Sequence, residues 1–219
     1  MPYPECRWRD LGRLPYGEAL AVQKETVRRR ISGGIPDTLL FVEHPPVITL
    51  GKVSRREHLV APREGVQIVE TDRGGDVTYH GPGQLVGYPV VDLQSLRRDV
   101  KWYLERLEEV LIRAAARFRV TAARAEGMTG AWVGGRKLAA IGVRVERWVT
   151  SHGFALNVTT DLGAFDQIIP CGLAGKGVTS LARETGRDVA LSEAREAVTE
   201  AFGAVFGREM IRDDEGDRP

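Results

Sequence analysis

The chain has 219 residues, 42% of them apolar and 28% charged, with a formal net charge of +1. That is enough apolar material for one compact core, and so balanced a charge excludes a general electrostatic pull toward nucleic acid or an anionic membrane. The opening MPYPECRWRD has no apolar leader, and no run approaches the ~18 apolar residues of a membrane span, so a cytoplasmic protein without membrane contact is expected.

Tyr16, Leu20, Val27 and Ile31 fall on a helical spacing closed by Gly33-Gly34, which predicts a first helix over 16–31. TLLFVE (38–43), VITL (47–50) and VQIVET (66–71) have strand composition, with His44-Pro45-Pro46 as a breaker between the first two. QLVGYPVVDL (84–93) extends the sheet, and Pro89 suggests an edge position or a bulge there. Asp99 is placed to cap a helix running to about Phe118, whose apolar positions from Val100 onward make one stripe. Strands are predicted at Gly130–Val133, Lys137–Glu146 and Thr150–Val158, the last two joined by a turn near Arg147-Trp148. A final helix spans about Ser192–Phe206. The short basic clusters Arg28–Arg30, Arg55–Arg56 and Arg97–Arg98 are expected on solvated faces.

Strands arrive in groups between few helices, without βαβ alternation, so the expected class is α+β, with a mixed or antiparallel sheet and flanking helices. With no repeat, linker or low-complexity stretch, a single catalytic domain is expected over 1–212, followed by a disordered tail at 213–219.

Three segments carry more than structure requires. RGGDVTYHGPGQ (73–84) holds four glycines and a proline. Such a stretch is costly in conformational entropy, and it makes either two turns around a short strand or a loop that brings backbone N–H groups against a ligand. It matches neither a phosphate loop nor a GxGxxG fingerprint. In GGRKLAAIGVRVERWVTSHGFALN (134–157), Lys137 opens a strongly apolar strand, as a solvated strand end or as an ammonium drawn toward a dry site. The small residues around Gly142 and Gly153 leave room for an apolar chain. In IIPCG (168–172), Cys171 lies between Pro170 and Gly172, at a turn. It is either a packing residue or a nucleophile; a free thiol ionises near pH 8.5 and needs a partner to be nucleophilic, for which His80, His152 and Lys137 are the candidates. Cys6 has no such neighbours and is expected to be structural. The two cysteines form no disulfide framework and no CxxC pair, and His80, His152, Cys171 and Asp76 lack metal-ligand spacing.

RGGDVTYHGPGQLVGYPVVDL, RKLAAIGVRVERWVTSHGFALNV and IIPCG, in that order, resemble the lipoyl(octanoyl) transferases of lipoate biosynthesis, and the likeness extends through FVEHPPVITLGK over most of the chain. The resemblance implies a biotin/lipoate protein ligase-like fold without the ligases' extra C-terminal domain. It implies an ATP-independent, cofactor-free acyltransferase with a Cys171/Lys137 dyad that passes an octanoyl group through a Cys171 thioester. The donor would be octanoyl-acyl carrier protein. The acceptor would be a lysine of apo lipoyl domains, in 2-oxoacid dehydrogenases and the glycine cleavage H protein, served by a monomer. Substrate contacts would come from Arg73, Gly74, Gly75, Asp76, Val77, Thr78, Tyr79 and His80, from Ala140, Ile141 and Gly142, and from Gly153, Phe154 and Ala155. No metal is implied. The competing readings are an ATP-dependent ligase of the same fold, a cysteine hydrolase with a histidine base, and a binding module whose Cys171 is unreactive. Lys176, in the glycine-rich GLAGKGV, is left without a role.

Overall fold

The structure, a computed structural model, describes residues 3–169 and 177–213. Eleven strands and four α-helices alternate irregularly among the described residues. An eight-stranded sheet has the order β11 (Glu209–Arg212), β1 (Glu5–Arg13), β2 (Asp37–Glu43), β6 (Gln84–Val90), β10 (Val149–Asn157), β9 (Arg136–Glu146), β8 (Met128–Val133), β7 (Ala123–Ala125). A second sheet joins β4 (Gln67–Glu70), β3 (Val47–Leu50) and β5 (Thr78–His80). β1 pairs in parallel with β2 and β11, and β3 with β4; the other pairings are antiparallel. The class is α+β with a mixed sheet, as expected.

The large sheet is covered on both faces, which is why β2, β6 and β10 are buried along nearly their whole length and read as continuous apolar runs. On one face lie α2 (Val100–Ala116) and α4 (Leu191–Phe206), packed with Leu39, Phe41, Leu85, Phe154, Leu156 and the fully buried Cys6. The alternate residues Leu40, Val42, Val86, Tyr88 and Ala155 face α1 (Tyr16–Ile31) on the other side. α2 starts where the sequence places it, with Asp99 accepting from the Trp102 N–H at 3.0 Å. Arg147 and Trp148, at φ 50° and 68°, make the tight β9–β10 turn. Among the described residues no helix is long and apolar enough to cross a membrane.

Pro89 corrects the edge assignment: it lies in β6 between β2 and β10, in register with Leu39 and without a bulge. Its missing N–H falls on the β10 side, where the ladder is interrupted between the Gly87–Phe154 pair and the bond from Thr150 N to Val91 O. The residue across that gap is His152, at φ 53°; its own N–H turns away and donates to Gln23 of α1 at 3.0 Å. A proline is tolerated in this interior strand because its neighbour's donor is satisfied elsewhere.

Arg30 also departs from expectation: its side chain is only 16% exposed. It donates to Asp37 at 2.9 Å, and Asp37 also accepts from the Arg208 guanidinium (2.8 and 3.0 Å) and from Asp92 N–H (2.9 Å). This cluster holds α1 and the approach to β11 against the start of β2. Asp37→Ala would leave the buried Arg208 guanidinium without its carboxylate and Arg30 with only Asp92, at 3.4 Å. Urea unfolding is expected to report a loss of about 3–5 kcal/mol, and a loss under ~1 kcal/mol would show the cluster to be solvated.

Candidate active site

The β9–β10 hairpin places Gly142 opposite Gly153 and Ala140 opposite Ala155, so four small residues face each other in two pairs. Facing them, β5 and the loop before it supply Asp76, Val77, Thr78 and His80; Arg73 and Gly75, Tyr16 of α1, and Val86 and Tyr88 of β6 complete the walls. The resulting cleft holds about 480 Å³ of empty space, its open mouth included. A Cβ on Gly142 would meet the Gly74 carbonyl at 2.8 Å, and one on Gly153 the Gly87 carbonyl at 2.2 Å. Both glycines are therefore sites of close backbone approach.

Of the residues proposed to contact substrate, all but Gly74 and Tyr79 line this cleft. Gly74 docks its loop onto β9, its N–H donating to Val143 O at 2.8 Å. Tyr79 turns into a separate apolar cluster, edge-on to Phe165 with ring centroids 5.6 Å apart. Tyr16, Val86 and Tyr88 also line the cleft, from elements whose pattern in sequence speaks only of packing, and so does His152, which the sequence offers only as a partner for Cys171.

Lys137 is 7% exposed, its Nζ 4.8 Å from the centroid of the Trp132 ring. It lines a smaller cavity that has Thr78, Ala140 and Ala155 in common with the cleft, so the two spaces adjoin. Its main chain holds a returning segment: Lys137 N–H donates to Gly177 O and Thr179 N–H to Lys137 O, both at 3.0 Å. A buried chain of amides secures that segment from below, Gln84 Nε2 donating to Asn157 Oδ1 at 2.9 Å and Asn157 Nδ2 to Thr179 O at 3.0 Å. Cys171 and Lys176 lie outside the described residues. On the N-terminal side of that segment, Ile169 N–H donates to His58 O at 2.8 Å.

The histidines around the cleft are held neutral. His80 donates from Nδ1 to Gln84 Oε1 at 2.8 Å, and burial, then the nearby His44, push its pKa down to about 3. His44 donates to Leu14 O at 2.8 Å and accepts from the Tyr88 hydroxyl at 2.7 Å, and burial lowers its pKa too. His152 is also lowered by burial, an effect partly opposed by Asp72, whose Oδ1 is 2.7 Å from Nε2. Arg73 donates to Thr49 O at 2.7 Å and to Gly74 O at 3.0 Å, fixing the guanidinium in the cleft wall. Asp76 pairs with His58 at 2.5 Å.

The model of the lipoyl protein ligase A/B catalytic domain matches residues 15–203. The chain belongs to that family. The match takes in everything from α1 into α4 and leaves out β1 and β11. A protein named octanoyltransferase from Geobacter metallireducens is 52% identical over 194 residues, 89% of this chain and 90% of that one. Another of the same name, from Solibacter usitatus, is 49% identical over 94% of this chain and 95% of its own length. A bi-partite lipoate protein ligase from Thermoplasma acidophilum superposes with a TM-score of 0.73 at 17% identity, covering 96% of this chain and 87% of that one. At that identity the likeness shows the fold, which is lipoate and biotin protein ligase-like.

Proposed function

We propose that the chain is an ATP-independent octanoyltransferase that works through Cys171. The thiolate of Cys171 attacks the carbonyl of an octanoyl thioester on acyl carrier protein. A new C–S bond forms, the carrier's C–S bond breaks, and the carrier thiol leaves with a proton. The amine of a lysine in an apo lipoyl domain, of a 2-oxoacid dehydrogenase or the glycine cleavage H protein, then attacks the acyl-enzyme. An amide forms, Cys171 is released as thiolate, and the proton lost by the amine restores the thiol.

The observation that carries this reading is an apolar cleft of paired small residues that adjoins the cavity of a buried lysine, at the point where the chain returns from the Cys171 segment. Lys137 is assigned the partner's role, stabilising the thiolate and relaying protons between the two half-reactions. His80 is unsuited to it, since a base of pKa about 3 holds a proton poorly at neutral pH. His152 sits at the other end of the hairpin. Thioester exchange is near thermoneutral and thioester to amide is downhill, so no nucleotide is required.

The test is intact-mass spectrometry of an apo lipoyl domain incubated with the protein and octanoyl-acyl carrier protein, without nucleotide. Acylation of one lysine, preceded by an acyl adduct on the enzyme, is expected. Modification only from free octanoate plus ATP would make the protein a ligase, and release of free octanoate without acceptor preference would make it a hydrolase.

A further inference from the structure

Among the described residues, His152 alone lines both the acyl cleft and a second cavity beyond it. That second cavity, between α1 and the end of the β9–β10 hairpin, has an apolar side of Leu20, Ala21, Val27 and Ile31 and a charged rim of Lys24, Arg28, Asp72, Arg144 and Glu146. The imidazole stands between the two spaces. On the cleft side it meets Tyr88 edge-on, ring centroids 6.5 Å apart; on the far side Nε2 is bonded to Asp72, which is itself held by Arg144. The backbone that carries the ring is in the left-handed region, at φ 53°, a conformation a histidine adopts at a cost and keeps here through the Gln23 bond and the gap opposite Pro89.

The spacing gives this partition a length. Ala140 and Ala155, shared with the Lys137 cavity, mark where the cleft meets the reactive end. His152 pairs with Val143, three residues further along β9, or about 10 Å of strand. Seven C–C bonds of ~1.5 Å in an extended zigzag span about 9 Å, so an eight-carbon acyl chain entering at Ala140 ends at the imidazole.

We propose that the His152 ring, latched by Asp72, is the end wall that sets the acyl chain length, and that its removal joins the cleft to the cavity beyond, along the apolar side that α1 gives it. The inference rests on the octanoyl-transfer reading of the cleft. It makes His152 a specificity-determining residue with no part in the chemical step.

His152→Gly is the informative variant, because glycine removes the ring and accepts the positive φ without strain. Transfer rates are compared for octanoyl-, decanoyl-, dodecanoyl- and tetradecanoyl-carrier protein. The ratio of dodecanoyl to octanoyl transfer is expected to rise on the order of tenfold or more, in the range that added methylenes are worth in an apolar pocket. Leu20→Trp added to His152→Gly, filling the far cavity, is expected to bring the ratio back. An unchanged ratio with octanoyl transfer intact would overturn the partition. Should His152→Gly fail to fold, as judged by circular dichroism, Asp72→Ala frees the ring instead and must shift the ratio in the same direction. If the wild-type protein transfers no octanoyl group, the functional reading fails and the partition is decided on binding. Tighter displacement of a fluorescent probe by dodecanoate in the variant would support it, and equal affinities would sink it.

Discussion

Cys171→Ala is expected to lower octanoyl transfer by on the order of 10,000-fold or more, because removal of a nucleophile leaves only what binding and positioning contribute. The loss should appear in the first half-reaction. Wild-type protein mixed with octanoyl-acyl carrier protein should gain an acyl group that neutral hydroxylamine removes, as it does a thioester. Cys171→Ala should gain none, and Cys171→Ser at most a hydroxylamine-resistant ester. A thioester adduct persisting in Cys171→Ala could only be on Cys6 among the protein's own thiols. That outcome would conflict with the place of Cys6 in the core, where it is fully buried and where burial pushes its thiol far above the usual range. The same variant separates the transferase from the ligase reading, since acyl-adenylate chemistry has no use for the thiol.

The second large effect is expected at Lys137. Lys137→Met keeps most of the side chain's volume against Trp132 and removes its charge, and is expected to slow acylation by ~100-fold to ~10,000-fold, the range of one acid–base or charge-stabilising group. The sign of its pH dependence follows from electrostatics: a cation near a thiolate favours the ionised form, so its loss moves thiol ionisation toward higher pH. Iodoacetamide alkylation of Cys171, followed against pH, should show that displacement, and an unchanged profile would remove Lys137 from the role. A thermal midpoint close to wild type would show that the loss is chemical and not a collapse of the Gly177–Thr179 segment that Lys137 holds.

Most elements of the fold were legible locally. α1 and β3 occupy the residues their patterns mark, and α2 begins at the cap that Asp99 announces. β1 and β11 were not. ECRWRDLGR has one fully buried side chain, Cys6, and EMIR has none, so neither carries an alternation to read. They are strands because β1 pairs in parallel with β2 and with β11, Cys6 with Asp37 and Glu5 with Glu209, contacts that local sequence does not encode. Pro89 misleads for a related reason: a proline excludes a position only if its N–H is needed, and that depends on what β10 does across from it.

The site divides along the same line. Gly142, Gly153, Ala140 and Ala155 belong to one hairpin, so their small side chains, two-residue periodicity and intervening turn already place them face to face. The glycines of 73–84 marked a stretch made either of two turns or of a ligand loop, and the contacts at Arg73–His80 came only with the family resemblance; all of them but Gly74 and Tyr79 line the cleft. Lys137 stood out as an ammonium at the head of an apolar run. Tyr16 and Tyr88 gave no such signal, and His152 stood out only as a candidate partner for Cys171. Their rings reach the cleft from a helix, an interior strand and a strained position in β10, and nothing in the local sequence sets any of them in the cleft wall. Sequence by itself determined the family the chain belongs to and the hairpin that shapes its slot, because residue type and two-residue periodicity act over a few neighbours. Only the tertiary structure decided where that slot ends, because the end wall is built from side chains on elements far apart in the chain, brought together by strand register and burial.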